Sequence, residues 1–211
     1  MFKDRKEAGQ LLAKKLMEHA DSKDALILAI PRGGVVVAYE VASRIRVPMD
    51  VIVIKKIGAP GHEELAAGAA GMDSYILNQE VVDAYRISQD HIREQVKIKQ
   101  MQIRQRYEFL RGSRPFYSVA GKTIIVIDDG LATGATMTMA LRIINQGGPK
   151  RLICAVPVAP PDTVQRLQAL ADQVVCLLQP WSFQAIGEFY QDFRQVDDDE
   201  ARRLLEKAEK F

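Results

Sequence analysis

Short apolar runs alternate along this chain with segments that place apolar residues at helical spacing, and this alternation predicts strands that alternate with helices. Each run is apolar at consecutive positions, which is typical of strands buried on both faces. We therefore predict an α/β fold, with a parallel sheet flanked by helices on both sides. The predicted strands span residues 25–30, 48–54, 123–127, 151–156 and 174–178; the predicted helices span 3–20, 35–46, 88–111, 135–146 and 162–171, with a last helix capped near Asp197.

The pattern is less regular between residues 57 and 117. Residues 58–61 form a glycine- and proline-rich turn cluster, and residues 66–77 fit a short hairpin around Met72-Asp73-Ser74. With 211 residues in total, the chain is long enough to bury a sizeable core, and we expect it to form a single domain.

Composition and charge narrow the class of protein. The net charge is +2 and no apolar run has membrane-spanning length, so neither nucleic acid nor a membrane is indicated as a partner. The charged N-terminus lacks the apolar core of a signal peptide. Cys154 and Cys176 lie within predicted strands, which favours buried free thiols over a disulfide or a ligand pair. These features together predict a cytoplasmic protein.

The segment after the third predicted strand carries the clearest chemical signal. Asp128 and Asp129 follow the strand directly, and a loop of small residues then opens the next helix. Such a loop gathers unpaired N–H groups at the positive end of a helix dipole, which suits a phosphate; Thr133 and Thr136 add hydroxyls, and Gly134 permits close approach. The acid pair would repel phosphate, but it can accept hydrogen bonds from sugar hydroxyls or hold hydrated Mg²⁺. The segment therefore predicts a site for a phosphorylated sugar.

Two other polar segments follow predicted strands. Arg32-Gly33-Gly34 comes after the first, where paired glycines allow unusual backbone dihedrals and expose N–H groups, and Arg32 offers a planar cation to phosphate oxygens. Lys55 and Lys56 end the second strand, and adjacent strand residues point to opposite faces, so only one lysine should reach a site. Because ligands collect at the carboxyl ends of parallel strands, we expect these segments to converge.

Residues 124–136, with four apolar residues, two acids, two variable residues and Ala-Thr-Gly-Ala-Thr, resemble the phosphoribosyl pyrophosphate (PRPP) loop of the type I phosphoribosyltransferases. The chain has no Gly-x-x-x-x-Gly-Lys-Ser/Thr motif, which excludes an ordinary nucleotide P-loop. The resemblance implies a transferase that moves ribose 5-phosphate from PRPP to a nitrogenous, base-like acceptor and releases pyrophosphate. It also implies Mg²⁺ as cofactor, a role in nucleotide metabolism and a homodimer.

The resemblance further assigns roles to residues. Asp128 and Asp129 would hold the ribose hydroxyls and, through water, the Mg²⁺. The Arg32 segment and one lysine, with a lean toward Lys56, would bind pyrophosphate, and a cis peptide bond is predicted between Arg32 and Gly33. No dedicated general base is apparent, so the catalytic residue stays unknown. The candidate substrate-binding residues are Arg32, Gly33, Gly34, Lys55, Lys56, Asp128, Asp129, Ala132, Thr133, Gly134, Ala135 and Thr136.

Residues 4–9, 55–68 and 187–193 extend the resemblance to an uncharacterised subgroup of predicted phosphoribosyltransferases over nearly the whole chain. Within one domain, residues 1–211, it implies a core of about 23–57 and 118–178, a lid insertion of about 58–117, and a hood of about 1–22 and 179–211. Ala132 stands where the 6-oxopurine transferases place an aspartate, which argues against a hypoxanthine–guanine enzyme. The acceptor stays open.

Several features admit more than one interpretation. His62 fits an exposed loop better than a metal site, because no second histidine follows at helical spacing. The basic residues between 93 and 114 suggest first a solvated helix face, then a lid over a polyanion, then a nucleic-acid patch. Most aromatic rings of the tail should be core, with Trp181 or Phe183 a candidate to face the acceptor. Two other functions are a regulator that binds PRPP without turnover and an enzyme that cleaves phosphoribosyl bonds with water.

Overall fold

The computed structural model describes residues 1–210, and outside residues 55–111 its helices and strands alternate as the apolar pattern predicts. Single turns of 3₁₀ helix lie at Met17–His19 and Ile186–Phe189. The helices are α1 (Arg5–Lys15), α2 (Gly33–Ile45), α3 (Gln79–Ala84), α4 (Gln89–Arg111), α5 (Ala135–Gln146), α6 (Pro161–Gln168) and α7 (Asp198–Ala208). The strands are β1 (Ala25–Ala29), β2 (Met49–Val51), β3 (Lys55–Ala59), β4 (His62–Ala70), β5 (Tyr75–Leu77), β6 (Thr123–Ile127), β7 (Arg151–Val158) and β8 (Gln173–Leu178).

A parallel five-stranded sheet in the order β2-β1-β6-β7-β8 forms the centre of the fold. Alternate residues of β1 enter two different cores, with Ile27 on one face and Leu26 and Leu28 on the other. Helices α1, α2 and α7 cover the first face, and α5 and α6 cover the second. The predicted α/β architecture, a parallel sheet between helices, is confirmed.

The strand order changes direction between β1 and β6. From β1 the chain passes through α2 to β2 on one side, and it later returns to place β6 on the other side of β1. Loops leave the carboxyl ends of these two strands in opposite directions, which opens a crevice at this switch point. Register pairs Ala29 with Ile127, so the two loops begin at the same level of the sheet.

The predicted end of the second strand is wrong. Strand β2 stops at Val51, although the apolar run continues to Ile54. The amide of Ile52 still donates to Ala29 O, but the amide of Val53 donates to the Tyr107 hydroxyl at 3.0 Å, which takes the chain out of the ladder. Lys55 and Lys56 consequently begin β3 instead of ending β2.

The middle of the chain contains more regular structure than the sequence suggests. Strands β3, β4 and β5 form a separate antiparallel sheet, in which the predicted hairpin around residues 72–74 is confirmed. Helix α3 is not anticipated by the apolar pattern.

The division into core, lid and hood stays a prediction, and residue 211, at the end of the predicted hood, lies outside the described residues. Within residues 1–210, no helix combines the length and the apolar character needed to span a membrane.

The predicted position of the cis peptide bond is wrong by one residue. The bond lies between Pro31 and Arg32, not between Arg32 and Gly33. Helix α2 already begins at Gly33, two residues earlier than predicted, with Arg32 as its N-cap residue. The turn that leads from β1 into the helix must therefore be complete before Gly33.

Candidate functional site

The loop after β6 presents backbone amides to the crevice. Gly134 is the N-cap residue of α5 with φ 69°, and the first helical hydrogen bond runs from Thr138 N to Gly134 O. The amides of the first turn therefore have no hydrogen-bond partner within the helix, as at any helix start. Ala132, Thr133 and Thr136 are exposed. The Ala135 amide donates to the Thr133 hydroxyl at 3.4 Å, and the loop thus presents amides and hydroxyls at the positive end of a helix dipole.

Two side chains of helix α6 hold this loop in place through hydrogen bonds to its carbonyl groups. The Thr163 hydroxyl donates to Ala132 O at 2.9 Å, and the Arg166 guanidinium donates to Thr133 O at 3.2 Å. In a trans peptide unit the N–H group points opposite to the carbonyl, so these bonds turn the amides of Thr133 and Gly134 away from α6. A Cβ on Gly134 would lie 2.7 Å from Thr163 Cγ2, so glycine serves both the positive φ and the close packing.

The two carboxylates beside the loop have different surroundings. Asp129 is buried, and its Oδ2 accepts a hydrogen bond from Arg5 Nε at 2.6 Å. Asp128 is half-buried, and its Oδ1 accepts the Asp129 amide at 2.9 Å. Burial and then the charge of Asp129 raise the pKa of Asp128 well above the usual range, although Arg5 acts in the opposite direction. In residues 1–210, no N–H group donates to the second oxygen of either carboxylate.

Arg5 is a residue of this site that sequence reasoning missed. Its Nη1 donates to Arg194 O at 2.8 Å, and its guanidinium stacks over the Phe193 ring at 3.8 Å. The Tyr190 hydroxyl also donates to Asp129 O. Both ends of the chain thus meet at the acid pair. The only signal in the sequence was that residues 4–9 and 187–193 both match the subgroup.

Gly33 and Gly34 lie at the start of α2, directly beside the acid pair. A Cβ on Gly33 would stand 1.9 Å from Asp129 Oδ2, and a Cβ on Gly34 would stand 2.9 Å from Asp128 Cα. Neither glycine has a positive φ. The interpretation that these glycines supply unusual dihedrals is therefore wrong; they permit the close approach of a helix N-terminus to two carboxylates.

The two predicted lysines face different surroundings. Lys55 is exposed and lines a cavity of about 170 Å³ together with Pro31, Thr136 and Arg106. Lys56 instead donates to Glu64 Oε2 at 3.0 Å and to Glu64 O at 3.1 Å. The structure therefore brings Lys55, and not Lys56, together with the loop after β1 and the start of α5.

Arg32 extends from the N-cap of α2 to an ion pair with Asp198, at 3.5 Å between Nη1 and Oδ1. Arg106 donates through both terminal nitrogens to the same carboxylate. The sequence placed Arg106 only within a basic run, and Asp198 only near a helix cap. Other members of that run also have partners: buried Arg111 pairs with Asp50 at 2.6 Å.

The remaining candidates do not line the cavity beside Lys55. Trp181 is 93% exposed, and Phe183 stacks on Phe189 with ring centroids 5.3 Å apart. His62 is exposed, with its ring edge against Tyr85. Cys154 and Cys176 are free thiols, as predicted; Cys154 is buried and Cys176 is half-buried, and burial raises the pKa of each.

Comparisons with known proteins agree with this geometry. A family model described as a phosphoribosyl transferase domain matches residues 3–192. Rv0571c of Mycobacterium tuberculosis strain H37Rv, provisionally named a phosphoribosyl transferase, is 39% identical over 210 residues, which cover 99% of this chain and 47% of that protein. The chain thus spans about half the length of that curated relative.

Solved structures give the same picture of the fold. The crystal structure of TT1426 from Thermus thermophilus matches with a TM-score of 0.87 and 39% identity, covering 98% of each chain. The structure of AQ2163 from Aquifex aeolicus matches with a TM-score of 0.50 at 14% identity, covering 82% of this chain and 73% of that one, which is a likeness of fold alone.

Proposed function

Because this chain belongs to the phosphoribosyl transferase domain family, we propose that it transfers ribose 5-phosphate from PRPP to a nitrogenous, base-like acceptor and releases pyrophosphate. The observation that carries the proposal is the convergence of three elements at the β1–β6 switch point. These are the amide-lined loop before α5, the Asp128–Asp129 pair and a group of cations near Arg32.

The 5-phosphate is assigned to the loop. The amides and hydroxyls of residues 132–136 would bind its oxygens, and α6 fixes the loop through the Ala132 and Thr133 carbonyls. A loop held this way needs little reordering when the phosphate binds, which favours affinity.

The ribose hydroxyls are assigned to Asp128 and Asp129. Each carboxylate keeps one oxygen without an N–H donor, while Arg5 holds Asp129 in place. Two carboxylate oxygens also suit Mg²⁺, which prefers one or two carboxylates together with waters and substrate phosphates. Asp128 and Asp129 would hold this ion through water, and when bound it would neutralise phosphate charge.

The pyrophosphate is assigned to Arg32, the amides of Gly33 and Gly34, and Lys55. This choice replaces the earlier lean toward Lys56, because Lys56 is paired with Glu64 whereas Lys55 lines the cavity beside Pro31. Holding both ends of PRPP positions its anomeric carbon for attack. The bond from that carbon to pyrophosphate breaks with its electron pair leaving on oxygen, and the acceptor nitrogen forms the new bond and loses its proton to water.

The acceptor is a base-like nitrogen compound other than hypoxanthine or guanine. Ala132 is exposed in the loop and carries no carboxylate for a 6-oxopurine. Such a reaction would belong to nucleotide metabolism, and the family resemblance favours a homodimer, which light scattering on the purified protein would test.

The test is incubation with PRPP, Mg²⁺ and a panel of bases, scored by pyrophosphate release. Release that depends on one base supports the transferase, whereas no release with any base overturns it. Binding without release would point to a PRPP-binding regulator, and release without a base would point to hydrolysis.

Two variants test the ribose assignment. Asp128→Asn and Asp129→Asn should both weaken PRPP binding, with Asp128→Asn the clearer result because Asp129→Asn also removes the Arg5 ion pair. Asp24→Asn is the matched control, since Asp24 is exposed just before the amino end of β1. Unchanged affinity in both site variants would refute the role of the acid pair.

A further inference from the structure

Asp198, in the first turn of α7, contacts two arginines from different parts of the chain. Its two oxygens accept Arg106 Nη1 at 2.6 Å and Nη2 at 2.5 Å, and Oδ1 lies 3.5 Å from Arg32 Nη1. One carboxylate therefore pairs with two guanidinium groups. Arg106 lies 92 residues away from Asp198 in sequence. Arg106, and then Arg32, hold the pKa of Asp198 below its usual range.

Arg106 also borders the cavity lined by Lys55, one of the residues proposed above to bind pyrophosphate. The described residues that line this cavity include two charged side chains, Lys55 and Arg106, and both are cations. Thr136, at the start of α5, and Pro31, next to Arg32, line the same cavity. Arg106 thus both pairs with the Asp198 carboxylate and borders the cavity where we place the polyanion.

A second ion pair that involves α4, between Arg111 and Asp50, is much more buried than the pair between Arg106 and Asp198. Arg111 and Asp50 have side chains only 2% and 8% exposed, and Arg111 also donates to the carbonyls of Arg114 and Pro115. Arg106 and Asp198 are 26% and 37% exposed. The first pair is closed and structural, whereas the second is open to solvent and is of the kind that contributes little to stability.

We propose that Arg106 is a further pyrophosphate-binding residue and that Asp198 is its exchangeable counter-ion. The inference rests on the proposed function. Without ligand, Asp198 holds Arg32 and Arg106 near the cavity; when pyrophosphate enters, its oxygens replace the carboxylate on both guanidinium groups. The exchange favours the ligand, because a phosphate offers more charge and the same two-pronged geometry to arginine.

Calorimetry with two separate probes tests the role of Arg106: pyrophosphate with Mg²⁺, and ribose 5-phosphate. Arg106→Gln should weaken pyrophosphate binding about tenfold or more while ribose 5-phosphate binds as in the wild type. Arg106→Lys keeps the charge without the planar fork and should recover part of the loss. Arg104→Gln is the matched control, because Arg104 lies on the same helix and, among residues 1–210, pairs only with exposed Asp73.

If Asp198 is an exchangeable counter-ion, replacing it should increase the affinity for pyrophosphate, whereas a purely structural role predicts no such increase. Asp198→Asn should bind pyrophosphate a few-fold more tightly, because the competing charge is removed. Asp199→Asn removes the same charge from the same exposed turn, where Asp199 has no ion pair among the described residues, and should leave affinity unchanged. Asp198→Asn also tests the proposal if Arg106→Gln does not fold.

The outcomes separate this inference from the proposed function. If the wild type binds neither probe, the proposed function fails. If the wild type binds both and Arg106→Gln still binds pyrophosphate normally, or loses both probes equally, the role of Arg106 is refuted. Unchanged or weaker pyrophosphate binding by Asp198→Asn refutes the exchange.

Discussion

Gly33 lies so close to Asp129 that a Cβ on Gly33 would stand 1.9 Å from Asp129 Oδ2 and 2.9 Å from Arg5 Nε. The start of α2, the acid pair and the guanidinium of Arg5 therefore occupy one tightly packed unit. The helix dipole at this N-terminus also favours the nearby negative charge. The geometry of the acid pair depends on the absence of a side chain at residue 33.

Gly33→Ala should disrupt the site while most of the fold persists. The added methyl group collides with Asp129 and Arg5, and relieving the collision must move a carboxylate proposed to bind ribose. We expect PRPP affinity to fall about tenfold or more, since such overpacking costs about 1–3 kcal/mol. Calorimetry with PRPP and Mg²⁺ measures the effect.

Gly121→Ala is the control for this variant. Gly121 has φ 69° with open space around it, so alanine there strains the backbone far from the crevice. It should lower stability and leave PRPP affinity unchanged. Wild-type affinity in Gly33→Ala would show that the packing against Asp129 is irrelevant to binding.

Arg5→Gln should lower the free energy of unfolding by about 3 kcal/mol, because it leaves a buried carboxylate without its cation. The side chains of Arg5 and Asp129 are only 10% and 12% exposed, and Arg5 also loses its stacking on Phe193. Urea unfolding measures the loss. Lys6→Gln removes the same charge from the exposed neighbouring position; an equally small effect in both variants would contradict the prediction.

The sequence predicted those parts of the fold and site that depend on nearby residues. The strand β6, the acid pair and the loop before α5 lie within fourteen consecutive positions, 123–136, so pattern and chemistry could be judged together. The end of β2 could not be predicted, because it depends on the hydroxyl of Tyr107, 54 residues away. Arg5 reaches Asp129 across 124 positions, and no local pattern records such a contact.

The small antiparallel sheet was predicted only in part: the hairpin of residues 66–77 was anticipated, but strand β3, which pairs with β4 on the other side, was not. Strand β4 ends in Ala66, Ala67, Gly68, Ala69 and Ala70, residues that are poor strand formers and carry little apolar periodicity. Pairing with β3 and β5 on its two sides determines its conformation. Tertiary context here outweighs intrinsic propensity.

His19 should make the fold less stable as the pH falls. The Nε2 atom is buried without a hydrogen-bond partner, and Glu18 Oε1 is 3.5 Å away. Burial lowers the pKa of His19 below its ordinary value of 6.5, with Glu18 opposing and Arg151 reinforcing the shift. The unfolded chain therefore takes up the proton first, so this contribution is complete above about pH 6.5 and is lost as the pH falls toward the lower folded pKa.

The measurement is urea unfolding of wild type and His19→Gln between about pH 8 and 5.5. The wild type should lose stability over this range by more than the variant does. His62→Gln, at an exposed histidine, should retain the wild-type pH dependence. Parallel curves for wild type and His19→Gln would exclude His19 as the titrating group.

Thr163→Val should weaken the binding of ribose 5-phosphate but not that of pyrophosphate. The change keeps the shape of the fully buried side chain and removes its hydrogen bond to Ala132 O. The loop then loses one of its braces, and we expect affinity to fall several-fold, equivalent to about 1 kcal/mol. Thr123→Val, at the opposite end of β6, is the control. Equal losses for both probes would indicate general destabilisation instead.

Lys55 and Lys56 form a matched pair of their own, because they are adjacent and carry the same charge. Lys55→Gln should weaken pyrophosphate binding about fivefold to tenfold, since it removes a cation from the cavity that Thr136 and Arg106 also line. Lys56→Gln should leave affinity near the wild-type value, because that ammonium group is paired with Glu64. Calorimetry with pyrophosphate and Mg²⁺ decides between them. The reverse order of effects would mean that β3 reorients when ligand binds and that the earlier lean toward Lys56 was right.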